Sequence, residues 1–245
     1  NALNVGGDAG TLTADAGGAL DFTGGIYTTL NGTAGGNISQ SGALTVTGLT
    51  TIFSDVTAIA VTLDDVANEF NTVNLVAPGG TFNGFDLFDA DGNADGLTLQ
   101  NANITDGGNI NVAANGGMTV TGTVQTDSGD ITLNADADAA GAGLFVLAAA
   151  AAIDSGNDFT LTGADFNFDP TSSITVAGVF DLVFSQAGDL CLGLSSGGVG
   201  CQISLDNNDL SVLTAIGPEL ILDNSGSNIR TRAADFGGTD LALLG

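Results

Sequence analysis

The sequence contains no histidine, no lysine and no tryptophan, and Arg230 and Arg232 are its only basic side chains. Each absence removes a class of function. Without an imidazole, serine-based nucleophilic catalysis lacks its usual general base. Two cysteines, Cys191 and Cys201, with no histidine cannot complete a four-ligand zinc site. Two arginines cannot neutralise a phosphate backbone, which argues against a nucleic-acid partner, and the formal net charge of −26 repels anionic membrane surfaces. No run reaches the roughly 20 apolar residues that span a bilayer. The nearest, residues 142–153, is short and mostly alanine. The chain starts at Asn1 with no signal-peptide pattern, so a segment of something longer or a processed exoprotein is expected.

The residues that are plentiful tell a consistent story. Of 28 acidic residues only Glu69 and Glu219 are glutamate. The rest are aspartate, which with 38 glycines supplies turn chemistry rather than helix chemistry. Hydrophobic residues make up 43% and the mean hydropathy is +0.33, so the chain has material for a core and is no disordered acidic tail. Many of the carboxylates are expected on solvated turns, where the excess charge keeps the molecule soluble and attracts cations.

One phrase is written twice. Ile38-Ser39-Gln40-Ser41-Gly42-Ala43-Leu44-Thr45-Val46-Thr47-Gly48 returns 115 residues later as Ile153-Asp154-Ser155-Gly156-Asn157-Asp158-Phe159-Thr160-Leu161-Thr162-Gly163. Shorter echoes, a turn residue followed by alternating apolar and polar residues, occur at Gly108-Asn109-Ile110-Asn111-Val112, Gly129-Asp130-Ile131-Thr132-Leu133 and Ser173-Ile174-Thr175-Val176. Alternation with period two is strand chemistry, and a strand-and-turn unit repeated along a chain predicts a solenoid. Leu97 to Met118 and Ile110 to Ile131 are each 21 residues, and Leu190 to Leu210 is 20, which predicts a parallel β-helix with coils of about 20 residues. About a dozen rungs at roughly 4.8 Å would make a rod on the order of 55–60 Å long. The spacing is irregular, so loops of varied length should protrude. The fold class is therefore all-β: a single β-solenoid over residues 1–245, with related repeat units near 36–125 and 151–245. Residues 146–153, with five consecutive alanines, have no polar face for a capping helix and are expected in a tightly wound interior, a packed helical turn being the alternative. Two immunoglobulin-like sandwiches would lean on a buried tryptophan that is absent.

The phrase at 38–48, followed by Ile59-Ala60-Val61-Thr62-Leu63, Asn68-Glu69-Phe70, Thr72-Val73-Asn74-Leu75, Gly96-Leu97-Thr98-Leu99 and Gly117-Met118-Thr119-Val120-Thr121-Gly122, resembles the strand repeats of filamentous-haemagglutinin-like exoproteins. The resemblance covers about half the chain, with a weaker second copy from Ile153. It implies a rod-like β-helix, secretion across an outer membrane, and a role in adhesion, aggregation or surface coating. The cysteine pair departs from that pattern.

Three constellations qualify for chemistry. Asp89, Asp91, Asn93 and Asp95 alternate as in the first half of a calcium loop, but the twelfth position, Ala102 counted from Asp91 or Gln100 counted from Asp89, is no carboxylate. A partial Ca²⁺ site and an acidic glycine-rich turn both fit, and no other cofactor is called for. Cys191 and Cys201 enclose a flexible glycine-rich loop that lets the thiols meet in a disulfide worth about 2–3 kcal/mol. Their alternation parities oppose, so one must lie in a turn, and two buried free thiols remain the alternative. Asp64-Asp65 is the only offer of a paired-carboxylate glycosidase site, yet strand neighbours point to opposite faces. The Thr-x-Thr phrases at Thr11, Thr45, Thr119 and Thr160 are too unevenly spaced for an ice-binding array. Asn31-Gly32-Thr33, Asn37-Ile38-Ser39 and Asn103-Ile104-Thr105 match the glycosylation acceptor pattern, as chance allows in an Asn- and Thr-rich chain.

The expected function is that of a non-enzymatic, extracellular or surface structural or adhesive protein, a stretch of a long exoprotein or a fibre subunit. It should self-associate end to end or laterally, with a surface or glycan ligand as a possible further partner. A calcium-dependent binding or surface-layer module is the alternative, and a polysaccharide-active enzyme the distant third.

Overall fold

Inward-facing Leu, Ile, Val and Phe at every second position leave the strands no way to bury their apolar side except by coiling around a common interior. The chain, seen here in a computed structural model, does this with parallel strands throughout. The structure describes residues 3–90 and 96–186, then 190–192, 203–205, 209, 211–213, 215–216, 219–223, 229–231 and 240–244.

The first wall stacks β1 (Leu3–Val5), β3 (Leu20–Phe22), β5 (Ile38–Gln40), β7 (Ile59–Leu63), β9 (Phe82–Asp89), β11 (Ile110–Ala114), β14 (Ile131–Asn134), β17 (Phe159–Gly163), β20 (Val179–Phe184), β24 (Glu219–Asp223) and β26 (Asp240–Leu244). The second wall stacks β2 (Ala9–Ala16), β4 (Gly25–Ala34), β6 (Leu44–Ser54), β8 (Glu69–Val76), β10 (Leu97–Ile104), β12 (Met118–Val120), β15 (Leu144–Leu147) and β18 (Asp165–Phe168). A third wall starts at the latter half of β10 and continues through β13 (Thr123–Thr126), β16 (Ala152–Ser155), β19 (Ser173–Val176) and β23 (Ala215–Ile216). A separate three-stranded sheet holds β21 (Leu190–Leu192), β22 (Ile203–Leu205) and β25 (Ile229–Thr231).

The register makes the interior a set of columns. On the first wall Leu3, Leu20, Ile38, Val61, Phe85, Ile110, Ile131, Phe159, Phe180, Leu220 and Leu241 lie one above another. From Leu20 to Leu220 every member is buried. Each such side chain contributes about 1.5–3 kcal/mol relative to exposure. Along this column the coil takes 17 residues (Leu3 to Leu20) at its shortest and 28 (Ile131 to Phe159) at its longest before Phe180. The predicted pairs Leu97 with Met118 and Ile110 with Ile131 are in register. Leu190 instead lies beside Ile203 and Ile229, while Leu210 is outside the described residues.

The second wall repeats the pattern with Leu12, Leu30, Thr50, Val73, Leu99, Val120, Leu147 and Phe168. Thr50 is the misfit. It is fully buried, and its hydroxyl has no hydrogen-bond partner.

The alanine run corrects its sequence-based expectation. Residues 148–151 form a turn between β15 and β16, closed by the Ala151 N–H donating to the Ala148 carbonyl, with Ala149 and Ala150 exposed. Ala150 sits at φ 60°, where a small side chain is tolerated best. Small residues here serve a tight exposed corner, and no helix forms. At another corner glycine is obligatory: a Cβ on Gly129 would lie 1.9 Å from the Gly108 carbonyl oxygen, and one on Gly108 would lie 1.6 Å from that of Asn83. Successive coils touch backbone to backbone there.

Candidate functional site

Several of the carboxylates bond one coil to another, among them Asp21, Asp86, Asp130 and Asp158. At the corner leading into the first wall, the Asn109 side-chain oxygen accepts from the Asp130 N–H, Asp130 Oδ1 accepts from the Asp158 N–H and from Asn157 Nδ2, and Asp158 Oδ1 accepts from the Val179 N–H. One Asx side chain per coil thus satisfies a backbone donor of the next coil, which a turn would otherwise leave to water. Asp21 accepts from Ser39 and Ser41, and Asp86 Oδ1 from Asn111 Nδ2 at 2.7 Å.

Deeper in, Asn68 is wholly buried and fully used. Its side-chain oxygen accepts from Gln40 Nε2 and the Leu44 N–H, and its Nδ2 donates to Gln40 Oε1 and the Leu63 carbonyl, all within 2.9 Å. Asp136 is likewise buried and accepts from the Gly141 N–H and the Ser185 hydroxyl.

Among the described residues, electrostatic perturbation is confined to a few groups. Burial raises the Asp181 carboxyl above the ordinary carboxylate range, and the charge of Asp223 adds to the rise; Asp181 Oδ1 has no hydrogen-bond partner. Burial also raises Asp165, against the lowering effect of the Phe166 N–H. The Thr171 hydroxyl and N–H hold Asp169 below the usual range. Asp165 lies on β18, Asp169 in the turn that follows it and Asp181 on β20, and none of them lines either groove described below.

Of the residues singled out in the sequence, Asp89 is buried and its Oδ1 accepts from the Phe70 N–H at 2.7 Å, which turns that oxygen inward to the neighbouring coil. Asp91, Asn93 and Asp95 lie outside the described residues. Among the described residues no group of three or more side chains of metal-ligating type comes together. Cys191 stands on β21 with its backbone opposite Ser204 and Arg230, and Cys201 is outside the described residues. Asp64 and Asp65 are not a pair: Asp65 Oδ1 accepts from the Ala67 N–H within a turn, whereas Asp64 is exposed on the first wall.

Among the described residues, two grooves on the outer surface stand out. One, of about 330 Å³, runs over the first wall past Asp64, Asp86, Phe88, Asn111 and Asn134. The other, of about 470 Å³, opens at the start of the third wall, lined on one side by Asn101, Asn103, Thr123 and Gln125. Its origin is a change of partner. β8 stays paired with β10 through Thr72, Val73 and Asn74, with a register shift between Leu99 and Asn101. Beyond Asn74 the two strands part, and the second half of β10 pairs with β13, Asn103 opposite Gln125. Sequence reading missed this groove, noting Asn103 only as a glycosylation triplet. The available signal was Gln100-Asn101, two successive polar residues that break the alternation of β10.

A family described as repeats of unknown function, DUF5649, matches residues 6–77. That segment spans β2 through β8 and their long strands. No curated protein and no solved structure matches the chain. The chain is thus similar over its first coils to a repeat family and is, in fold, a parallel β-solenoid.

Proposed function

We propose that this chain is a non-enzymatic structural or adhesive solenoid, acting outside the cell or on its surface as a stretch of a long exoprotein or a fibre subunit, and associating with its own kind. The observation that supports this reading is the destination of the acidic side chains. Asp130 and Asp158 bond one coil to the next instead of gathering around a cleft, so these carboxylates serve to build length. The net charge of −26 keeps copies apart at low ionic strength and lets them assemble when cations screen it. The resemblance to exoprotein repeats points the same way.

Sedimentation velocity across concentration and ionic strength, with negative-stain electron microscopy of the same samples, tests the proposal. Elongated particles that lengthen or bundle as salt rises are the expected result. A strictly monomeric profile under all conditions would overturn the self-association, and a compact particle would overturn the rod.

A further inference from the structure

The geometry points to a binding site for a neutral oligosaccharide in the groove between β8 and β10. Three observations converge on it. First, the groove is built by the fold: β8 parts from β10 after Asn74, and the register shift in β10 sets Asn101 and Asn103 along its rim. Its volume of about 470 Å³ lies within the range of roughly 300–1,000 Å³ usual for small-ligand sites.

Second, the rim is positioned yet has bonding capacity in reserve. Asn101 is fixed from both sides, its Nδ2 donating to Asn74 Oδ1 at 3.0 Å and its Oδ1 accepting from the Thr123 N–H at 3.2 Å. Gly122 permits this, since a Cβ there would lie 1.9 Å from the Gln100 carbonyl oxygen. Asn103 and Gln125 stand side by side in register, and among the described residues neither side-chain amide has a protein partner. Two adjacent amides offer paired donors and acceptors, the complement of vicinal sugar hydroxyls.

Third, no lining side chain is ionisable, in a chain with 28 acidic residues. A cationic ligand finds no carboxylate in the groove to pair with, and the net charge of −26 repels an anionic one. Val76 and exposed Ala77 give the groove an apolar edge that suits the C–H face of a pyranose ring. The inference does not depend on self-association and would stand if that proposal failed.

The test is calorimetric titration of the intact chain with neutral hexasaccharides of glucose, mannose, galactose, xylose and N-acetylglucosamine, beside a uronic-acid and a sulfated hexasaccharide. Saturable binding of at least one neutral series is expected, weakened at least tenfold in the N103A/Q125A double variant and in Gln125→Ala measurably, with unchanged melting midpoints. Asp64→Asn, in the other groove, should leave it unaltered. Absence of saturable binding by every neutral series at millimolar concentration overturns the proposal. So do binding unaffected by the double variant, binding restricted to the charged saccharides, and displacement of the sugar by an extended Val-Thr peptide that adds as a strand.

Discussion

The two copies of the eleven-residue phrase occupy different places in the coil. In the first, Ile38 stands in the first-wall column and Leu44 begins β6 on the second wall. In the second, Ile153 lies on the third wall, opposite Val124 and Ile174, and it is Phe159 that joins the first-wall column. The phrase therefore specifies a strand–turn–strand corner and leaves open which corner of the coil it makes. The two corners are also held differently. The first is sealed from inside by buried Asn68, bonded to both Gln40 and the Leu44 N–H. The second is bonded at the surface by Asn157 and Asp158, which reach Asp130, and from inside by hydroxyls, Ser155 donating to the Asp158 carbonyl and buried Thr126 accepting from the Gly156 N–H. Both corners carry exposed Asp bonds, Asp21 in the first and Asp130 in the second, but only the first has a buried amide junction inside, where the second has buried hydroxyls and aromatic stacking.

That contrast can be broken most severely at Phe159. Its ring stacks on Phe180 with centroids 4.8 Å apart and planes 7° from parallel. Phe159→Ala is expected to destabilise by about 3–5 kcal/mol, because the stacked coils above and below cannot collapse into the void. Urea unfolding followed by circular dichroism measures it. A loss below about 1 kcal/mol would mean that the coils close up freely.

The next comparison sets corner against corner. Asn68→Ala leaves the Leu44 N–H, the Leu63 carbonyl and the Gln40 amide short of partners in the interior, at a cost of about 2–3 kcal/mol. Asn157→Ala, at the equivalent exposed corner, should change stability by no more than about 0.5 kcal/mol, since water replaces the lost bond. Equal effects in parallel denaturant titrations would refute the distinction between the two corners.

A smaller effect of opposite sign is expected at Thr50. Removing a buried hydroxyl that has no partner while keeping the branched shape should stabilise, so Thr50→Val is predicted to gain about 1 kcal/mol and to raise the thermal midpoint. A lower midpoint would reveal a partner for that hydroxyl, such as an internal water.

The smallest effect concerns pH. Because burial and Asp223 raise the folded-state value of Asp181, its ionised form costs stability at neutral pH, and that cost fades as pH falls through the raised value toward the ordinary carboxylate value of about 4. Asp181→Asn should therefore melt higher than the parent at pH 7, and the two midpoints should converge on acidification. Midpoints that diverge toward low pH would contradict the assigned direction.

Much of the architecture was legible because strand alternation and coil spacing are written locally. Leu97 with Met118 and Ile110 with Ile131 could be paired from spacing alone, since an inward side chain in one coil demands an inward neighbour about one period later. The groove was not legible. It arises where Gln100 shifts the register of β10 and where residues 77–81 carry the chain away from β10, and neither event has meaning until the neighbouring coil is in place. Asp89 illustrates the same limit: its alternation with Asp91, Asn93 and Asp95 suggests a cation loop, while in the fold one of its oxygens caps the Phe70 N–H.

The sequence by itself determined that this protein is a parallel β-solenoid, because period-two patterning and turn residues act over a few neighbouring positions, and that imidazole- or lysine-based chemistry is excluded, because those groups are absent. Only the tertiary structure decided which wall each strand joins, which carboxylates bond coil to coil, and where two strands part to leave a groove. Those outcomes depend on register between segments about 20 residues apart, and register is set by loop length and by the coil already beneath.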